Sequence, residues 1–93
     1  MILKVMHVDG SEIFDKIDRV NVEYCSWGRE EDIKGNRNVR TIDLRTEEEK
    51  AKGGEGYRVT FLTAKGDWLS VAFCCAAYIC NDQGRTFEAL KAR

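Results

Sequence analysis

Apolar and polar positions alternate along most of the chain, and the alternation has the period of two that marks β-strands. Ile2, Leu3, Val5, Met6 and Val8 form a compact first run, with Lys4 and His7 inset and the turn pair Asp9-Gly10 behind it. Its shortness predicts a strand. In SEIFDKIDRVNVEYC the period changes. Ile13, Ile17 and Val20 fit one helical face, a short turn opened by Ser11, whereas Val20, Val22 and Tyr24 alternate with Arg19, Asn21 and Glu23. The reading is a second strand over about residues 18–25, with a turn or bulge before it.

Ser26 to Asn38 is rich in glycine and charge, with only Trp27 and Ile33 as anchors, and predicts a long charged loop of the kind that often carries function. VRTIDLR (39–45) predicts a modest strand through Ile42 and Leu44. TEEEKAKGGEG (46–56) has no apolar side chain larger than Ala51 and predicts a flexible, solvated connection. The clearest element follows. Tyr57, Val59 and Phe61 alternate with Arg58, Thr60 and Leu62; AKGD supplies a turn; Leu69, Val71 and Phe73 then alternate with Trp68, Ser70 and Ala72. Two alternating runs across a glycine-bearing turn predict a β-hairpin. CCAAYIC, the turn NDQG and RTFEAL predict a further short pair, with a helical turn at AYIC as the alternative because alanine is a poor strand former.

The fold class is therefore mainly β, with α+β open: one domain over 1–93, built as a single curled antiparallel sheet or a small barrel. Closure into a barrel would remove the exposed edges a free sheet must protect.

Composition narrows the function classes. Fifteen Lys+Arg against sixteen Asp+Glu give a net charge of −1, which fits neither a strongly basic nucleic-acid binder nor an all-acidic DNA mimic. No apolar run approaches the roughly 20 residues of a membrane span. The apolar stretch at the start is too short and interrupted for a signal peptide, so the expectation is a cytoplasmic protein whose four cysteines stay reduced.

Cys25, Cys74, Cys80 and His7 are the candidate metal set, able to offer zinc three thiolates and an imidazole from separate strands. Cys74 and Cys80 share parity, so a straight strand would send both to one face. No CxxC pattern is present, and buried free cysteines commonly serve as small hydrophobes. A zinc ion here would be a structural staple for a small domain. Catalysis finds no support in motifs: there is no P-loop, no HExxH and no nucleophile signature around any cysteine. Gly53-Gly54-Glu55-Gly56 lacks the lysine and helix that would hold a phosphate, and the Glu30 and Glu31 pair is what any acidic loop produces.

Binding is the better reading. Acidic groups gather at Glu30, Glu31 and Asp32 and again at Glu47, Glu48 and Glu49, against the bland alternative of a mixed, solubilising surface. With Trp27 as an aromatic anchor they form a candidate partner-binding surface for a basic protein groove. The alternatives are a small β-barrel that binds single-stranded nucleic acid through Arg37, Arg40 and Arg45 with Trp27 or Tyr57 as stacking groups, and a phage structural module that assembles with its own copies.

Two segments, DGSEIFDKIDRVNVEY and AYICNDQGRTFEAL, resemble stretches of small phage and prophage proteins and together cover about a third of the chain. Proteins of that kind often inhibit host defence, and anti-CRISPR proteins directed at Cas9 are one such group. The resemblance thus implies a non-catalytic inhibitor that binds Cas9 and blocks target-DNA loading or rearrangement. The group shares no fold or signature, so no residue role transfers with it.

Overall fold

The computed structural model describes residues 1–7, 10–27 and 39–91, except the side chains of His7, Trp27 and Phe87. Its elements are strands β1 (Ile2–His7), β2 (Gly10–Phe14), β3 (Asp18–Trp27) and β4 (Arg40–Asp43), helix α1 (Glu47–Lys52), and strands β5 (Gly54–Leu62), β6 (Trp68–Phe73), β7 (Ala76–Cys80) and β8 (Thr86–Leu90). Strand makes up 63% and helix 8% of the structure, so the fold is mainly β.

The strands divide into two four-stranded sheets rather than one, and neither closes into a barrel. The first has the order β2-β1-β7-β8 and is antiparallel throughout. The second has the order β3-β5-β6-β4, in which β4 runs parallel to β6. Alternating side chains of both sheets meet in one core: Leu3, Val5, Ala77, Ile79 and Leu90 from the first, Val59, Phe61, Val71 and Phe73 from the second. Burying such side chains is worth about 1.5–3 kcal/mol each, which is why the period of two is so clear over β5 and β6. β6 is an inner strand, and there Ser70 and Ala72 on the opposite face are buried as well.

The Ser11 segment is a strand, not a helical turn. β2 pairs with β1 from Leu3↔Phe14 to His7↔Gly10, and that ladder overrides the helical spacing of Ile13, Ile17 and Val20. Ile13 points outward at 59% exposed while Ile17 is buried between β2 and β3. Ile17 is held by both backbone groups: its N–H donates to the Met1 carbonyl at 3.0 Å and its carbonyl accepts from the Met1 ammonium at 3.1 Å. The turn expected before β3 is formed by residues 15–17, with Lys16 at φ 54°, and β3 itself carries a register shift between Asp18 and Asn21.

Residues 46–56, expected as a flexible connection, are a capped helix and the start of β5. Thr46 is the N-cap: its Oγ1 accepts from the Glu49 N–H at 3.1 Å, and Glu49 Oε1 accepts from the Thr46 N–H at 2.8 Å. This reciprocal box satisfies two of the donors a helix start leaves open. A six-residue helix without an apolar face does not form alone. Lys50 ties it to β4, with Nζ 4.0 Å from Asp43 Oδ2.

Candidate functional site

Of the seven residues expected to meet a partner, three are placed. Glu47, Glu48 and Glu49 occupy the first turn of α1, where negative charge complements the helix dipole. They do not act alike. Glu49 is half-buried and turned back to cap the helix, whereas the side chains of Glu47 and Glu48 are 94% and 74% exposed. Lys50 Nζ lies 3.3 Å from Glu47 Oε1, and Lys52 Nζ donates to Glu48 Oε1 at 2.6 Å. That hydrogen bond and the charge behind it lower the Glu48 pKa and raise that of Lys52. The result is two outward carboxylates on a fixed backbone, each shared with a lysine. Glu30, Glu31 and Asp32 lie outside the described residues, as does the Trp27 side chain.

The basic residues are dispersed. Arg45, read from sequence as part of a basic surface, is buried against Asp43: Nε donates to Oδ1 and Nη2 to Oδ2. Tyr57, a stacking candidate, is half-buried, with its ring edge-on to Tyr24 at 5.2 Å and its hydroxyl donating to the Lys91 carbonyl at 3.1 Å. Arg37 lies outside the described residues; Arg40 is exposed at the start of β4.

The cysteines are also apart. Cys25 stands opposite Gly56 in the second sheet, and its thiol donates to the Glu23 carbonyl at 3.7 Å. Cys74 and Cys75 form the bend between β6 and β7, so strand parity does not carry from Cys74 to Cys80. Cys80 ends β7, beyond about 13 Å of extended chain at about 3.3 Å per residue, with its sulfur 3.5 Å from Thr86 Oγ1. Among the described residues no three His, Cys, Asp or Glu side chains are grouped to hold a metal; the His7 side chain is not among them. The thiols at Cys25, Cys74 and Cys75 are held protonated. Burial is the first cause at each, Glu23 adds to it at Cys25 and Glu49 at both Cys74 and Cys75, and the Cys74 pKa rises to about 11. Thiolate, the form that binds metal or attacks an electrophile, is disfavoured there.

Two hollows lie at the end of the sandwich near the β2–β3 connection. The smaller, about 540 Å³, is lined by Asp15, Asp18 and Asp82, whose carboxylates already have donors: the N–H groups of Lys16 and Arg19 and the Met1 ammonium. The larger, about 710 Å³, lies between Asp15, the start of β4 and the turn into β6, and Trp68 stands on its wall. Trp68 is 38% exposed and directly follows the charged turn Lys65-Gly66-Asp67. Compared with known protein families, with curated proteins and with solved structures, the chain has no match.

Proposed function

We propose that this chain is a non-catalytic inhibitor that binds a host defence nuclease, with guide-loaded Cas9 as the target that the phage-like segments imply. The observation that carries the reading is the capped start of α1, which holds the Glu47 and Glu48 carboxylates outward on an ordered backbone. Order matters because a preformed acidic ridge loses little conformational entropy on docking, whereas a flexible loop would lose more. Cas9 holds its nucleic acid in positively charged channels and must load DNA and move domains before it cuts. A ridge seated on such a channel blocks those steps with no catalytic group.

The size requirement is modest. A standard interface covers about 800 Å² on each partner, and the whole chain exposes 6173 Å². Lys50 and Lys52 compete with the partner's cations for the two carboxylates, so the ridge contributes mainly to orientation and to association rate, and its effect weakens as salt rises.

The test is cleavage of target DNA by guide-loaded Cas9, with the chain added before the DNA. Dose-dependent loss of cleavage is expected, and Glu47→Lys with Glu48→Lys should shift the inhibitory concentration upward by about tenfold or more. Undiminished cleavage in the presence of a folded chain overturns the reading.

A further inference from the structure

The two outward faces of the sandwich differ in charge and in cover. On the second sheet, Glu23, Arg58 and Asp43 share one cross-strand row with Ala72, and Ser70 and Ala72 are buried although they point away from the core. On the first sheet the ladders set Ile13, Lys4, Tyr78 and Ala89 side by side in one outward row, with Met6 and Ala76 in the next. These positions alternate with the core residues Leu3, Val5, Ala77, Ile79 and Leu90, which fixes the side they face. Lys4 is the one charged side chain in the two rows, on a chain of which 33% is charged. Ile13 is 59% and Met6 39% exposed, and they flank Lys4, one on the neighbouring strand and one two residues along its own. Lys4 itself is half-buried, and among the described residues it has no carboxylate partner.

The edges of this sheet are guarded, and its face is not. Glu12 on β2 and Glu88 on β8 stand opposite the core residues Val5 and Ile79, so each edge strand turns a carboxylate toward the inner side. Inward-pointing charges on edge strands are a device by which sheets resist edge-to-edge association. The open face is small. Four strands at about 4.8 Å and five residues at about 3.4 Å give a footprint of about 19 by 17 Å, well under the roughly 800 Å² that each partner contributes to a standard interface. That footprint matches about three turns of a single helix, about 10 Å across and about 16 Å long.

We propose that the outward face of the first sheet docks an amphipathic helix of a partner protein, one that carries a carboxylate within its apolar side. Lys4 decides the occupant. A second copy of the chain presenting the same face brings no carboxylate to it, and two ammonium groups would be buried unpaired. An anionic membrane attracts clusters of basic residues, whereas these rows hold one, with the exposed Glu12 and Glu88 on the edge strands to either side. A wholly apolar segment would strip water from Lys4 without replacing it. A carboxylate set among apolar side chains covers Ile13 and Met6 and pairs the ammonium at once. None of the acidic residues of α1 belongs to this sheet, so the face stands apart from the inhibitor reading and either can fail alone.

The test is fluorescence anisotropy of the full chain with labelled model helices of about 18 residues, long enough to be helical alone. Leucine and alanine form one side of each peptide, and Glu, Gln or Lys stands at the centre of that side. The Glu peptide should bind at micromolar concentration, the Gln peptide about tenfold more weakly and the Lys peptide more weakly still. Lys4→Glu should invert the order in favour of the Lys peptide, which a loss of packing alone would not do. Ile13→Lys, at an exposed position, should weaken the Glu peptide by about tenfold or more. Five outcomes overturn the proposal. Three concern the peptides: no binding of the Glu peptide to folded chain at millimolar concentration, equal affinity for all three peptides, or Glu-peptide affinity unmoved in Ile13→Lys. The others reassign the face: a dimer in sedimentation that Ile13→Lys dissolves gives it to a second copy, and Ile13-dependent binding to phosphatidylserine vesicles gives it to a membrane.

Discussion

Arg45 and Asp43 grip each other side by side: Nε donates to Oδ1 at 3.1 Å and Nη2 to Oδ2 at 3.2 Å, and the Arg45 N–H adds a third bond to Oδ1 at 3.0 Å. The Arg45 side chain is 1% exposed and that of Asp43 26%, so the pair sits at the margin of the interior rather than on the surface. A planar fork against a carboxylate is the geometry in which such a pair is strongest. Lys50 approaches the same carboxylate, so Asp43 also joins β4 to α1.

Asp43→Ala should therefore lower stability by about 3 kcal/mol, because it removes the counter-ion and leaves the guanidinium buried. Asp43→Asn should cost less, since it keeps an acceptor while giving up the charge. Urea unfolding measures both. A loss below about 1 kcal/mol for the alanine variant would place the pair with exposed ion pairs, relaxed by solvent.

Thr46→Ala should cost about 1 kcal/mol by deleting the N-cap, and Thr46→Ser should recover most of it. The effect is local as well as global. Hydrogen exchange at the Glu49 amide, which donates to Thr46 Oγ1, should speed up in the alanine variant and stay slow in the serine variant. Unchanged exchange would mean that Lys50 and Asp43, not the cap, hold the helix.

What could be read from the chain follows the physics of each element. β5 and β6 were legible because alternate side chains there are fully buried and their partners are not, at least until Ser70. β2 was obscured by a chance helical spacing: Ile13 faces water, Ile17 lies in a turn and Val20 belongs to the next strand. The division into two sheets and the parallel β4–β6 pair depend on contacts far apart in sequence, to which Ile42 and Leu44 give no local clue. The helix at 47–52 was missed because its stretch has no apolar face, although Thr46-x-x-Glu49 has the spacing of a capping box. Arg45 read as surface because charge is usually exposed; its partner two residues earlier gave no hint of burial. The hollow at Trp68 joins three separate chain segments, and only the fold brings them together.

Stability should fall in alkali, with Cys74 as the main thiol contributor. Its folded-state pKa is raised from the ordinary 9.0 to about 11, chiefly by burial and then by Glu49. Between those values the folded chain holds a proton that the unfolded chain releases. The contribution is thus complete below the unfolded pKa and is lost as pH rises through the folded one. Burial shifts Cys75 and Cys25 in the same direction. Urea midpoints measured from neutral pH to about 11 should decline less steeply for Cys74→Ser than for the parent chain, a comparison that cancels every other group the two chains share. Equal slopes would show that the thiol is solvated in the folded state.

Lys16 and Arg19 adopt φ values of 54° and 51°, the left-handed region in which side chains other than glycine are strained. The reason lies in Ile17 between them. Its N–H and carbonyl both bond to Met1 while its side chain enters the core, and the chain reaches that position only by turning sharply on either side. Asp15 and Asp18 offset part of the cost, each accepting from the following N–H at 2.7 and 2.8 Å. A left-handed residue costs about 1–2 kcal/mol, and glycine loses about 0.5–1 kcal/mol of chain entropy on folding. Lys16→Gly should consequently stabilise the chain by about 0.5–1 kcal/mol by urea unfolding, because the Lys16 side chain is exposed and its backbone bond to Asp15 survives. Lys16→Val should move the other way by about 1 kcal/mol or more, since a β-branched side chain is the least tolerant of this conformation. Equal stability of the two variants would mean that the turn relaxes out of the left-handed region, and Ile17 would then have to leave its bonds to Met1.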